Sequence, residues 1–229
     1  MTSVSEIFGI ETKTEDYYRQ ALTHPSYSKE KDLAYSECYE RLEFLGDAVL
    51  KLTVSDILFN AYPNSTEGEL SKIRSIIVSD NTLAQISKSN GLSELIIIAQ
   101  HDEKQGCRNL NSVCACTFEA ILGAYYLDGK LIEIKDYIKR TLMPYIEEVK
   151  NNFGKYNAKE ILQEYTQGET KTRPEYTVIK ESGPAHKRVF TVEVKYNDEV
   201  LAVEEGLSKK DAEQKAAYSA CVKLGIYQG

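Results

Sequence analysis

The spacing of apolar residues changes once along this chain, and that change limits the folds open to it. From Thr14 to Lys150 apolar residues recur every three or four positions, the period of helices that pack by one face. The pattern ends in the linker-like stretch Asn151-Asn152-Phe153-Gly154-Lys155. Beyond it, Phe190, Val192, Val194 and Tyr196 alternate with Thr191, Glu193 and Lys195, the period of a half-buried strand. Two domains are expected: an all-α domain over 1–152 and an α+β domain, in the order α-β-β-β-α, over 157–229. With 42% apolar residues in 229, the chain can bury a sizeable core in one or two such domains.

Helices are predicted over 14–22, 34–59, 66–79, 80–90, 110–127 and 130–150, with stops at Gly91 and Gly129 and a break at Pro63 and Asn64. The polar stretch 100–109 reads as a loop. In the second domain a helix over 157–167 precedes strands over 176–179, 190–196 and 200–204. Ser208 with Asp211 three residues on reads as a capping box. It opens a final helix whose apolar stripe is Ala212, Ala216, Ala217, Ala220, Cys221 and Leu224.

No apolar run reaches the roughly 20 residues that span a bilayer, and the N-terminus has no basic segment followed by an apolar one. No membrane partner is expected. The five cysteines are odd in number and lie mostly in apolar patterns, which fits free thiols in a reducing compartment. The net charge of −7 argues against a polyanion partner unless the footprint is local or carboxylates are occupied by cations. By region the charge is −6 over 1–156 (17 basic, 23 acidic) and −1 over 157–229 (11 basic, 12 acidic).

One acidic segment stands out: Glu40-Arg41-Leu42-Glu43-Phe44-Leu45-Gly46-Asp47. On a helix Glu40, Glu43 and Asp47 share a sector of about 60°. Carboxylates so crowded repel one another, and some rise in pKa unless a cation neutralises them. A solvated acidic face would explain the charges, but Leu42, Phe44, Leu45, Val49 and Leu50 leave this helix little plainly polar surface. Glu119 is the only charge between Val113 and Leu127, and a lone buried Glu needs a partner. Arg41 or Arg74 would serve. So would a metal ion shared with Glu43 and Asp47, since hard oxygen ligands suit Mg²⁺ or Mn²⁺. Glu67, at a helix start, could add a further carboxylate.

At these residues the chain resembles the ribonuclease III family. The segment Glu40–Asp47 carries its signature, and Ala21-Leu22-Thr23-His24, Glu67-Gly68-Glu69-Leu70-Ser71 and Phe118-Glu119-Ala120 fall where the family has them. The last third resembles the double-stranded-RNA-binding domain of its simplest members. The resemblance implies an all-α endonuclease domain that forms a homodimer through Phe44, and hydrolysis of duplex RNA to 5′-phosphate and 3′-hydroxyl ends. Its substrates would be structured precursors or long duplexes, with dicer-like small-RNA generation included. It implies catalytic roles for Glu40, Glu43, Asp47, Glu67 and Glu119, with Mg²⁺, or Mn²⁺, held by Glu43, Asp47, Cys116 and Glu119. Where the family has an Asp ligand this chain has Cys116, a soft donor, and the competing reading is a catalytically impaired RNA-binding or ribonucleoprotein-structural protein. The implied location is the cytoplasm, or the nucleus of a eukaryote.

In the last third, Lys209 and Lys210 stand in a helix's first turn, where cations oppose the helix dipole unless an anion offsets them. Within the α-β-β-β-α pattern that anion is phosphate, with Ser208 and Lys215 beside them. The resemblance adds Gln163 and Gln167 on the first helix for one minor groove and His186 in an inter-strand loop for the next. The family often has another cation where Glu213 stands, so modest, salt-sensitive affinity is expected.

Overall fold

The computed structural model describes residues 3–184 and 188–227, the side chain of Tyr35 excepted. His186 lies outside the described residues. The chain divides into two compact units, 1–147 and 148–229. The first is helical: α1 (Val4–Phe8), α2 (Glu15–Leu22), α3 (Pro25–Glu30), α4 (Glu40–Ala61), α5 (Glu67–Ile77), α6 (Asp80–Ser89), α7 (Gln100–Lys104), α8 (Asn111–Leu127) and α9 (Leu131–Asn151), whose last turn belongs to the second unit. The second holds α10 (Phe153–Tyr156), α11 (Ala158–Thr170), β1 (Glu175–Ser182), β2 (Val189–Tyr196), β3 (Glu199–Gly206) and α12 (Lys209–Lys223). The expected all-α unit followed by α-β-β-β-α is the observed architecture.

The centre of the first unit is α8. It is apolar around most of its circumference, from Val113 through Phe118 and Ile121 to Tyr125, so it folds only where other helices surround it. The helices α2, α4 and α6 pack along it. Phe8 of α1 closes one end against Phe118, Tyr125 and Tyr137, with ring centroids 5.9, 5.4 and 4.5 Å away. Just past α8, buried Asp128 accepts hydrogen bonds from the backbone N–H of Lys13 at 2.7 Å and of Thr14 at 3.1 Å, and from the Tyr18 hydroxyl at 2.7 Å. Burial pushes this carboxyl up, but those donors outweigh it and hold it below the ordinary value.

Three expectations need correction. The helix predicted over 34–59 starts late: Tyr35–Glu37 is a 3-10 turn, Cys38 is extended, and α4 begins at Glu40. The backbone N–H of Tyr39 donates instead to the Thr23 carbonyl at 3.0 Å, which takes it out of any helix begun at Ala34. The stretch 100–109 is ordered as α7 and a 3-10 turn, Cys107–Asn109. There the Arg108 guanidinium grips Glu103 at 2.6–3.0 Å and donates to the carbonyls of Ser93, Glu94 and Ile96 at 2.8–3.2 Å. The linker-like residues form α10, held because Gln214 donates to the Lys155 carbonyl at 3.0 Å and the Tyr227 ring lies against Gly154.

In the second unit β1, β2 and β3 form one antiparallel sheet in that order, pairing Val178 with Val192 and Val194 with Ala202. One face of it packs on α11 and α12 around Leu162, Val192, Val194, Leu201 and the alanine stripe of α12. Ser208 caps α12 by accepting from the Asp211 N–H at 3.1 Å, but the capping box is not reciprocal: the Asp211 carboxylate takes the Leu207 N–H at 3.0 Å. Gly206 makes that turn possible, since a Cβ there would lie 2.3 Å from the Ala212 nitrogen.

Candidate active site and nucleic-acid interface

Two glycines bring α4 and α8 into backbone contact. A Cβ on Gly46 would lie 1.7 Å from the Glu119 carbonyl oxygen and 2.9 Å from the Gly123 nitrogen, and one on Gly123 would lie 2.2 Å from the Leu42 carbonyl oxygen. No side chain fits between them. The crossing sets Glu43 and Asp47 of α4 against Cys116 and Glu119 of α8, one helical turn apart on each helix.

The electrostatics record this crowding. Burial, then the charges of Asp47 and Glu43, push the Glu119 carboxyl up to about 8, against a smaller opposing pull from Lys51. Burial, a hydrogen bond to Glu43 and the charges of Glu43 and Glu119 push the Cys116 thiol far up, so it stands protonated. Asp80, at the start of α6, adds to both fields. Lys51 donates to Asp47 at 2.8 Å and is the cation of the cluster. The charges that act most on Glu119 are those of Asp47, Glu43, Lys51 and Asp80 rather than of the arginines offered as partners, and Arg74 donates to Ser55 Oγ at 2.8 Å. The pairing of Lys51 with Asp47 is readable as an i,i+4 pair. Asp80 left no local signal, because it reaches the site only through the packing of α6 on α8.

Three carboxylates and a thiol held together at this cost suit a divalent cation, which would relieve their repulsion. Among the described residues no three His, Cys, Asp or Glu side chains converge closely enough to grip one as they stand. Asp47 is turned to Lys51, and Glu43 faces the protonated Cys116 thiol. The structure sets the two other predicted acids at the margins. Glu40 is half-buried, with the Cys38 thiol donating to it at 3.6 Å, and lines a shallow cleft with Arg41, Phe44 and Leu45. Glu67 is exposed on α5 and accepts from Ser71 Oγ at 2.7 Å, in a groove of about 590 Å³ shared with Leu52, Phe59 and Arg74. Phe44 is 81% exposed, and with Leu52 and Phe59, 64% and 73% exposed, it forms an apolar stripe along α4. Among the described residues no helix is long and apolar enough to cross a membrane.

On the second unit Lys209 and Lys210 are exposed in the first turn of α12. Lys209 lies 3.4 Å from Glu181 and over the Phe190 ring at 5.6 Å. Lys215 is held by Asp211 at 3.0 Å and donates to the Glu205 carbonyl at 3.2 Å. Glu213, where a further cation was considered, instead accepts from Lys159 of α11 at 2.5 Å, while that ammonium also sits over the Tyr176 ring. Gln163 is exposed and Gln167 half-buried on α11. Arg188, 3.6 Å from Glu181, is a further exposed cation that the sequence reading did not single out.

Residues 14–146 match the family model described as ribonuclease-III-like, and 158–224 the double-stranded RNA binding motif. The chain is 42% identical to "Ribonuclease 3" of Streptococcus thermophilus over 95% of both chains. It is 43% identical to that of Syntrophomonas wolfei over 86% of this chain and 83% of the relative. Among solved structures it is similar to the nuclease domain of ribonuclease III from Campylobacter jejuni, with a TM-score of 0.56 and 34% identity over 60% of this chain and 92% of that one. That domain is described for structural flexibility in the region involved in its dimer formation.

Proposed function

The chain belongs to the ribonuclease III family as a double-stranded-RNA-specific endoribonuclease, and from that premise we propose that the crossing of α4 and α8 is its catalytic centre. The observation that carries this is the Glu119 carboxyl, lifted to about 8 by burial and by Asp47 and Glu43 across a crossing too tight for a Cβ. The family is metal-dependent. Glu43, Asp47, Cys116 and Glu119 would hold the cation, Mg²⁺ or Mn²⁺. When bound, it supplies Lewis-acid stabilisation of the phosphoryl oxygens and a water acidic enough to attack.

The chain's own groups do the rest. With a cation held there, Glu119 would stand ionised, its proton lost to solvent, and Asp47 would be free of the Lys51 ammonium that now lies 2.8 Å from it. Glu40 and Glu67 support the reaction from the margins, where they orient water at the scissile phosphate. The products are a 5′-phosphate and a 3′-hydroxyl. The apolar stripe headed by Phe44 joins two copies as a homodimer, so that two centres address the two strands of one duplex. The second unit grips A-form RNA through Lys209, Lys210, Lys215, Ser208, Gln163, Gln167 and His186, reading shape and 2′-hydroxyls. Structured RNA precursors and long duplexes are the substrates, and the cytoplasm is the location, as suits a relative of bacterial enzymes. A non-catalytic RNA-binding role is not favoured: crowded acids that served no reaction would only cost stability.

The test is incubation with a long RNA duplex and, separately, a single strand, each with Mg²⁺ or Mn²⁺. Cleavage of the duplex alone, lost in Glu119→Gln, is expected. Equal cutting of single strands, or undiminished cutting by Glu119→Gln, would overturn the assignment.

A further inference from the structure

Cys116 separates this centre from one built of oxygen donors alone. It is not a core thiol like Cys114, two residues earlier, which is fully buried and bonded to the Arg108 carbonyl at 3.2 Å. Cys116 is only half-buried, lies within about 60° of Glu119 around α8, and faces the Glu43 carboxylate of α4, whose charge raises the thiol's pKa. It thus stands among the proposed ligands rather than behind them. We propose that Cys116 makes this centre selective for thiophilic divalent cations, Mn²⁺ and more strongly Zn²⁺ or Cd²⁺, over Mg²⁺, with the Cys116 sulfur as a direct ligand.

This deepens the catalytic-centre reading and rests on it. Glu43, Asp47 and Glu119 are hard donors that serve either kind of cation. The sulfur serves one kind only, since Mg²⁺ takes oxygen ligands and fills a vacant position with water, whereas softer ions bond thiolate, the protonated Cys116 thiol giving its proton to solvent as such an ion binds. Charge acts in the same direction. The centre has one carboxylate fewer than an all-oxygen set, and Lys51 already neutralises Asp47. Mg²⁺ gains nothing from the sulfur to offset the missing carboxylate and suffers most.

Titrating the metal-free full-length protein with Cd²⁺ and following the thiolate-to-metal charge-transfer absorption tests this without relying on turnover. The wild type should show the band, and Cys38→Ser, a control for the thiol beside Glu40, should keep it. Cys116→Ser and Cys116→Asp should lose it. In Cys116→Asp the Mg²⁺ concentration that displaces Cd²⁺ should fall by about tenfold or more. A band that persists in Cys116→Ser, or an unchanged Mg²⁺-to-Cd²⁺ preference in Cys116→Asp, overturns the proposal. Glu119→Gln separates the two levels of failure. If it abolishes binding of both cations while the Cys116 variants keep the wild-type preference, the role of the sulfur alone falls. If every variant binds both cations as the wild type does, the catalytic-centre reading falls with it.

Discussion

Glu119 holds a proton at neutral pH in the metal-free protein, because burial and the carboxylates of Asp47 and Glu43 set its pKa at about 8. In the unfolded chain this group ionises near its ordinary value of 4.5. Between the two values the folded state binds the extra proton, so stability falls as pH rises through this window. Urea unfolding of the metal-free protein should show a midpoint that drops from pH 5 to about pH 8, and Glu119→Gln should flatten that drop. Parallel curves for the two proteins would show that Glu119 is not the group under strain. Lys51 acts in the opposite sense, as a resident cation 2.8 Å from Asp47. If Asp47 is a metal ligand as proposed, an incoming metal must displace Lys51 from it, and exposed pairs contribute up to about 1 kcal/mol, so Lys51→Met should bind Mn²⁺ up to about fivefold tighter by calorimetry. Weaker binding would mean that Lys51 supports the site instead of competing for it. At this scale much was legible in the sequence. Glu43, Asp47, Cys116 and Glu119 share helix faces by spacing alone, whereas the marginal placing of Glu67 and the reach of Asp80 depend on how separate helices pack.

The pairing of α4 with α8 depends on two positions that lack a side chain. Gly46→Ala would drive a methyl group to 1.7 Å from the Glu119 carbonyl oxygen, and backbone on both sides leaves nothing flexible to yield. Overpacking of this kind costs about 1–3 kcal/mol or more, read as a lower urea midpoint, and should weaken cation binding as the ligands part. Gly68→Ala, in the first turn of α5 with open space around it, is the matched control and should leave stability equal or higher. A Gly46→Ala variant as stable as the wild type would contradict the close crossing. The long helices were readable because their apolar stripes repeat over many turns, and the strands because Phe190 to Tyr196 alternates cleanly. The short elements were not. Residues 100–109 carry no stripe, and their order comes from Arg108 bonding carbonyls twelve to fifteen residues away. Likewise α3 is set by the His24 ring, which accepts the Ser26 N–H at 3.1 Å ahead of Pro25, a pairing that periodicity does not reveal.

The whole chain carries −7, so its grip on RNA must come from a few local cations, several of them already paired with carboxylates. Each lysine that meets a phosphate adds close to one to the slope of log affinity against log salt. Lys209→Ala and Lys210→Ala should therefore each lower that slope by about one on duplex RNA, and a variant with unchanged slope does not touch phosphate. The proposed association of two copies would draw on the opposite kind of surface. Phe44, Leu52 and Phe59 fall within about 80° of the circumference of α4, and each leaves more than half of its side chain in water. A row of aromatic and aliphatic groups so exposed is more than a monomer's surface usually carries, and aromatic anchors at the middle of an interface contribute about 2 kcal/mol or more each. Phe44→Asp removes the anchor and puts a charge in its place, so the dimer dissociation constant should rise at least about thirtyfold in sedimentation equilibrium. Phe44 stands outside the carboxylate and thiol cluster, so cation binding should persist in the separated copies. Cutting of a duplex should then shift from paired breaks toward nicks in one strand, because one centre remains where two had acted together. A Phe44→Asp variant that stays dimeric at the same concentrations would place the joining surface elsewhere on the molecule.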